Sequence, residues 1–304
     1  MRLLITGGSG FIGKRLCRVL LDRGHDLTVL TRNADSAREA LHSSVQVQVW
    51  NPDQSDPKLT LPVGIDGVVN LAGESIAGGR WTEERKARIR SSRTRVTNAL
   101  VAAMRDSDLR PSVLVNASAV GYYGSRGDEP LSEDASPGRG FLTDVVLEWE
   151  QSALAAEPLG VRVVLLRIGV VLGRDGGALP QMSMPFRLFV GGPVASGKQW
   201  LSWIHVDDVV GMIVWSLENS RVSGPINAVA PGPLTNAAFS RGIGRTLGKP
   251  SWLPAPAFAL KALFGEMADA LLVNGQRVIP KRAQELGYAF HYPTAREALR
   301  EALG

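Results

Sequence analysis

An apolar strand that runs straight into Thr6-Gly-Gly-Ser-Gly-Phe-Ile-Gly13 leaves few folds open to this chain. Arg2 to Thr6 is a short apolar run with a β-branched end, cut off by glycines. From Phe11 the apolar residues Phe11, Ile12, Leu16, Val19 and Leu20 recur at helical spacing as far as Gly24. The glycines therefore fall where a strand becomes a helix. Gly7, Gly10 and Gly13 are three apart: the first permits a tight turn, the second lets backbone approach a pyrophosphate, and the third lets helix pack closely on strand. The helix beyond presents unpaired N–H groups and its positive dipole end to phosphate. This context predicts a dinucleotide site with Gly7, Gly10, Phe11, Ile12 and Gly13 in contact with the ligand.

A second strand, Asp26 to Leu30, ends at Thr31-Arg32-Asn33. An acid at that strand end takes the ribose 2′-hydroxyl in NAD sites, whereas an arginine suits a 2′-phosphate. The nearest acid here is Asp35, and Arg32 offers a planar fork of donors matched to phosphate. Thr31 and Arg32 thus favour NADP(H) over NAD, the alternative being an ordinary loop arginine. Val45–Trp50 reads as a third strand, followed by a proline-bearing loop from Asn51 to Val63. Asp66–Leu71 is a fourth strand closed by Ala72-Gly73, small residues that would let a cofactor lie against the backbone. A long helix follows at Thr82–Met104, then a fifth strand at Ser112–Ala117, a helix at Phe141–Ala156, and a sixth, apolar strand at Val161–Arg167. Alternating strands and helices imply right-handed crossovers and a parallel sheet covered on both faces.

The expected fold is α/β: a doubly wound parallel Rossmann sheet over residues 1–173, with a smaller α-rich substrate lobe over 174–304. Trp200-Leu-Ser-Trp-Ile-His-Val-Asp-Asp208 leads into a helix at Val209–Glu218, with a strand at Ile226–Val229. Residues 201–230 are expected to pack back on the first domain. Further helices are expected at Asn236–Leu247, Phe258–Leu263 and Thr294–Leu303. A ligand between the lobes, at the carboxyl ends of the strands, is the default geometry.

Composition narrows the class. Hydrophobic residues make up 44% and charged residues 21%, as in an ordinary globular protein. The net charge is +5, and most of the clustering of basic residues is one run, Arg85, Lys86, Arg88, Arg90, Arg93 and Arg95, on a single predicted helix. A solvated helix face is the simpler reading of such a run, and no nucleic-acid-binding motif accompanies it. The lone Cys17 precludes an internal disulfide and belongs in the core. With a strand at the start of the sequence no signal peptide is expected, and no apolar stretch reaches membrane-spanning length. A cytoplasmic protein without nucleic-acid or membrane partners is expected. The basic run would repel a symmetric copy of its helix, which favours a monomer or weak homodimer.

TGGSGFIG at 6–13, NLAG at 70–73, the Tyr-Gly pair at 123–124 and WIHVDD at 203–208 resemble the extended short-chain dehydrogenase/reductase family. NLAGESI at 70–76, SAVGYYG at 118–124, RIGVVLG at 167–173, GGALPQM at 176–182 and RVIPKRAQELGY at 277–288 bring the chain closest to its atypical, sugar-nucleotide epimerase-like subgroup. The resemblance covers nearly the whole chain. It implies a cofactor set that adds Asn70, Leu71, Ala72, Gly73, Arg93 and Val171 to the glycine loop and Thr31-Arg32.

The chemistry of the family uses a Tyr-x-x-x-Lys pair, in which the lysine lowers the tyrosine pKa so that the phenol shuttles a proton. By register from Trp149-Glu150 those positions fall on Leu142 and Val146; through Tyr123-Gly124 the usual serine falls on Ala119 beside Ser118, and through Leu100–Arg105 the usual asparagine falls on Arg93. No lysine occurs between Lys86 and Lys198, so no register shift restores the pair. Two functions stay open. One is an NADP(H)-dependent oxidoreductase or nucleoside-diphosphate-sugar epimerase-like enzyme acting on an unknown small molecule, with Tyr122, Tyr123 and Ser118 as its catalytic candidates. His205, Asp144, Glu148 and Glu74 are further candidates, against which stand a structural role for His205 and solvated faces for the acids. The other is a non-catalytic NADP(H)-binding sensor or regulator, as in cell-division inhibitors. Trp200, Trp203 and GGPVASGK at 191–198 would line a substrate cleft or belong to a core. Arg93 reads as a cofactor or substrate phosphate contact, or as one more member of the basic face.

Overall fold

The computed structural model describes residues 1–54 and 57–304. Seven parallel strands form the central sheet: β1 (Arg2–Thr6), β2 (Asp26–Thr31), β3 (Gln46–Val49), β4 (Gly67–Asn70), β5 (Val113–Ala119), β6 (Arg162–Ile168) and β7 (Gly224–Ala228). Their order is β3-β2-β1-β4-β5-β6-β7, a doubly wound Rossmann arrangement in which the order reverses at β1. The inner strands are buried on both faces, so successive residues feed two different cores, while the edge strand β3 has no fully buried residue. Leu3, Ile5, Val113, Val115, Val164 and Leu166 face one side with Leu16, Cys17 and Leu20 of α1 (Phe11–Asp22). Leu4, Val68, Leu114, Val163 and Leu165 face the other with Val96, Leu100 and Met104. These last three lie on α3 (Glu83–Arg105), which follows the short α2 (Ala34–Ala40). Beside α3 lies α4 (Phe141–Leu154). Burial pushes the Cys17 thiol up to about 12, consistent with an inert core residue.

After β6 the chain forms α5 (Leu179–Arg187), α6 (Val206–Glu218), α7 (Asn236–Leu247), α8 (Ala257–Phe264) and α9 (Ala295–Leu303). Helix α6 returns to the face carrying α1, and β7 extends the central sheet beside β6. Leu179, Phe186, Trp203, Phe239, Ile243 and Leu299 make a separate core for the smaller α-rich part. Two helices differ from the sequence reading. Helix α2 is only seven residues, started by an Asn33 side chain that accepts from the Ser36 amide at 3.1 Å. Helix α5 carries Pro180 and Pro185, which mask its periodicity. The loop expected at 51–63 includes Ser55 and Asp56, which lie outside the described residues. Among the described residues no helix is long and apolar enough to cross a membrane.

Candidate functional site

The carboxyl ends of β1, β4 and β5 meet where the sheet order reverses, and the glycine turn sits over them. Gly7 has φ +69°, and a Cβ there would lie 2.7 Å from the Leu71 carbonyl oxygen. A Cβ on Gly13 would run into the Gly7 carbonyl and the Gly8 backbone, so the third glycine sets the approach of α1 to the turn. Gly10 caps α1 with no side-chain bond, and among the described residues no acceptor takes up the Phe11 or Ile12 amide. These N–H groups are the orphans expected at a helix start, and they are left for an anion. Gly7→Ala is expected to destabilise the fold by about 1–2 kcal/mol from the left-handed backbone alone. Equilibrium urea unfolding measures that loss, and an unchanged midpoint would contradict the geometry.

Phe11 points away from this cradle, into the hairpin formed by Val170–Gly173 and Gly176–Gly177, with Val171 on its rim. A Cβ on Gly173 would lie 2.6 Å from Phe11 Cζ, so glycine makes room for the ring. Thr31 ends β2 and its hydroxyl donates to the Asn33 carbonyl at 3.1 Å. Arg32 beside it is exposed, with Nη1 3.7 Å from Asp53 Oδ2.

Asn70 departs from its expected role. Its side chain is fully buried, accepting from Thr6 Oγ1 at 2.6 Å and donating to Thr97 Oγ1 at 2.9 Å and Asn116 Oδ1 at 2.6 Å. It ties the ends of three strands to α3 instead of reaching outward. Leu71, Ala72 and Gly73 follow it directly beyond the end of β4, outside any regular element. Arg93 stands over Gly73, where a Cβ would lie 3.2 Å from Arg93 Cζ. Its Nη1 donates to the Ile89 carbonyl at 2.8 Å and its Nη2 to the Glu74 carbonyl at 3.1 Å, with the guanidinium 5.1 Å from the Trp149 ring. Burial pulls its pKa down to about 10, and among the described residues no carboxylate lies within ion-pair distance. A desolvated cation of this kind favours an incoming anion.

The rest of the basic run on α3 is largely neutralised. Glu74 lies 3.7 Å from Arg85 and 3.4 Å from Arg88, Glu148 lies 3.0 Å from Arg90, and Lys86 reaches Glu266 at 2.5 Å. Glu74 and Glu148 are thereby occupied as surface partners, and Asp144 is exposed on α4.

Around Ser118-Ala-Val-Gly-Tyr-Tyr-Gly124 lies a buried polar network that the sequence reading does not foresee. Ser118 on β5 and Arg167 on β6 are paired in register, so both side chains leave the sheet on one face, toward α4. Leu142, Val146 and Glu150 recur every four residues on the facing side of α4. Glu150 receives Ser118 Oγ at 2.6 Å and both Nε and Nη2 of Arg167 at 2.9 Å. Arg167 Nη1 donates to the Tyr123 hydroxyl at 3.0 Å, which donates to Asn227 Oδ1 at 2.6 Å. Glu133 closes the chain by accepting from the Asn227 amide at 2.9 Å. Burial opposes the charge on Arg167, and the bidentate carboxylate outweighs it, holding the guanidinium above its usual range. Burial likewise pushes Tyr123 up to about 12 and raises Glu133.

These contacts correct two of the catalytic expectations. Tyr123 is fully buried with its hydroxyl held between Arg167 and Asn227, and the Ser118 hydroxyl is spent on Glu150. Neither oxygen is placed to hand a proton to a ligand. Tyr122 differs. It is half-buried, its ring stacks on Arg167 with the guanidinium carbon 3.4 Å from the ring centroid, and Tyr123 meets it edge-on at 5.1 Å. Among the described residues its hydroxyl has no hydrogen-bond partner. Leu142 packs on Gly121 and Val146 is buried, and among the described residues no lysine is hydrogen-bonded or ion-paired to Tyr122, Tyr123 or Ser118. Sequence alone carried one signal for the network: an arginine ending an apolar, two-sided buried strand needs a buried acid, and Glu150 lies one turn past Val146.

Two more expectations change. Trp203 is fully buried, donating from Nε1 to the Gly232 carbonyl at 3.0 Å, and so belongs to the core and not to a cleft. Trp200 is half-buried and donates to Asp128 at 2.6 Å. His205 caps α6 by accepting from the Asp207 amide at 3.2 Å, and its Nε2 meets Glu301 at 2.8 Å. With the ring fully buried, its role is to tie α6 to α9.

Residues 3–229 match the model of the "NAD dependent epimerase/dehydratase family", and residues 255–302 that of a "Domain of unknown function (DUF1731)". The chain is 45% identical over 302 residues to the "Epimerase family protein SDR39U1 homolog, chloroplastic" of Arabidopsis thaliana, covering 99% of this chain and 86% of that protein. It is 40% identical over 304 residues to "Epimerase family protein YfhF" of Bacillus subtilis, covering 100% of this chain and 98% of that one. It superposes on the crystal structure of human epimerase family protein SDR39U1 (isoform 2) with NADPH at a TM-score of 0.89, with 35% identity and 100% of both chains covered.

Proposed function

This chain belongs to the NAD dependent epimerase/dehydratase family, and from that premise we propose that it binds NADP(H) and catalyses oxidoreduction or epimerisation of a small molecule. The observation that carries the reading is the glycine turn of Gly7, Gly10 and Gly13, which leaves the Phe11 and Ile12 amides of α1 without acceptors among the described residues. A pyrophosphate fits there, and the human relative was solved with NADPH. Arg32 at the end of β2 would take the 2′-phosphate, and Arg93 would face a further phosphate beside Gly73. Ala72, Leu71 and Val171 would give the cofactor backbone and apolar walls.

Bound there, the cofactor would supply hydride exchange. This chain's part is to position the substrate and to move a proton at the Tyr122 hydroxyl, the one phenol of the pair that is not spent inside the fold. Arg167 fixes the Tyr122 ring from behind, and Glu150 fixes Arg167. Leu142 and Val146 fill the volume of the family's usual pair with apolar groups, which keep water from that side.

The same two residues favour a second reading, an NADP(H)-binding regulator without turnover, because no cation stands where the usual lysine would. NADPH oxidation and NADP⁺ reduction against a panel of carbonyls and nucleotide sugars separate the two. Turnover of any member supports the enzyme, and tight binding with none shifts weight to the regulator.

Arg32→Ala is expected to weaken NADPH by about 1.5–3 kcal/mol, the loss of a charge-assisted phosphate contact, and to leave NADH nearly unchanged. Fluorescence titration of the reduced cofactors measures both. An equal loss for the two would contradict the 2′-phosphate role.

A further inference from the structure

We propose that Arg95 is a second phosphate-binding cation beside Arg32, and that Asp53 holds the place of the 2′-phosphate between them until the cofactor arrives. The inference rests on the NADP(H) reading above and extends it to two residues that the glycine loop and β2 do not include.

Arg32 and Arg95 come from different parts of the fold, the end of β2 and the outer face of α3, yet converge on one carboxylate. Arg32 Nη1 lies 3.7 Å from Asp53 Oδ2 and Arg95 Nη1 lies 3.4 Å from Asp53 Oδ1. Arg95 is two residues beyond Arg93, so the helix turns one guanidinium in toward Gly73 and the other out toward β2. Each arginine thus takes a separate oxygen of one group, the arrangement a phosphate with several equivalent oxygens would reproduce.

The charges do not balance with the carboxylate alone. Two guanidinium groups against one carboxylate leave a net single positive charge, whereas a phosphate monoester carries about −1.5 to −2 near neutral pH. A 2′-phosphate would match the two arginines better than Asp53 does. The present contacts are also easily given up. The side chains of Arg32, Arg95 and Asp53 are 73%, 58% and 54% exposed, and exposed pairs at these distances hold weakly. Asp53 and Arg95 also line a groove of about 860 Å³ between α3 and residues 52–54 and 57–59, so the carboxylate has room to leave. NADH, with only a 2′-hydroxyl, offers the two arginines no charge and does not displace Asp53. Discrimination between the cofactors then comes from three residues acting together: two that attract the phosphate and one that stands in its place.

Titration of wild-type protein, Arg95→Ala and Asp53→Asn with NADPH and with NADH tests this. All three side chains are exposed, so the variants keep the fold. Arg95→Ala is expected to weaken NADPH about three- to tenfold and Asp53→Asn to tighten it by a similar factor, with NADH unchanged in both. Wild-type protein that binds the two cofactors equally, or binds neither, overturns the NADP(H) reading and this inference with it. Wild-type discrimination that survives Arg95→Ala at full strength overturns this inference alone. So does an Asp53→Asn variant that loses NADH affinity, since Asp53 would then be a ribose ligand and not a stand-in for phosphate.

Discussion

Arg167→Ala is expected to destabilise the protein by about 3–5 kcal/mol, the usual effect of removing one member of a buried ion pair. Its side chain and that of Glu150 are 4% and 7% exposed, so the carboxylate left behind could not recover its solvation from water. Ser118 would remain as a donor to Glu150, but the Tyr123 hydroxyl would lose the donor that Arg167 provides. The size of the effect comes from the stranded charge, not from the net worth of the pair. Glu150→Leu combined with Arg167→Met, which removes both charges and keeps the volume, should therefore recover most of the loss. Urea unfolding of the two variants provides the comparison. A loss below about 1 kcal/mol in Arg167→Ala would mean that the pair is solvated and the network is not as buried as the geometry has it.

Tyr122→Phe is expected to lower turnover by about 10²- to 10⁴-fold while leaving NADPH affinity and stability close to wild type. The phenyl ring that stacks on Arg167 is retained, and among the described residues the lost hydroxyl has no partner within the fold. The substitution therefore isolates proton transfer from packing. Tyr123→Phe behaves differently: it should lose stability, because Arg167 Nη1 and Asn227 Oδ1 would both lose a buried partner. The steady-state rate on the first carbonyl or nucleotide sugar found to be turned over measures the Tyr122 effect. Unchanged turnover in Tyr122→Phe would remove that hydroxyl from the chemistry.

Much of the scaffold is legible in the sequence because two periodicities are strong in it. Strands buried on both faces give continuous apolar runs such as Val161–Arg167, and amphipathic helices such as α7 show their spacing plainly. Helix α2 is too short to show a period, and α5 is hidden by its prolines. The glycine turn is legible for a different reason: Gly7 and Gly13 stand where backbone conformation or backbone contact leaves no room for a side chain.

The candidate site is legible only in part, because polar residues that hold a fold together look like polar residues that face a ligand. Asn70, Tyr123 and Ser118 are placed close to the mouth of the sheet, and each turns its side chain inward. Which way they turn depends on partners far away in sequence, such as Asn116, Asn227 and Glu150. Trp203 and His205 belong to the same class, a core aromatic and a helix cap within a motif that also fits a cleft. Arg167 and Glu150 go unnoticed because each looks ordinary alone, one closing a strand and the other lying on a helix. Only the register of β5 against β6 makes them partners.

The most direct test of the account is a titration of the wild-type protein with NADPH and NADH, followed by cofactor fluorescence. An open glycine cradle and an arginine-bearing β2 end require saturable binding of both, with NADPH at least about tenfold tighter, a difference of about 1.4 kcal/mol. Absence of NADPH binding, or equal affinity for the two, would contradict it.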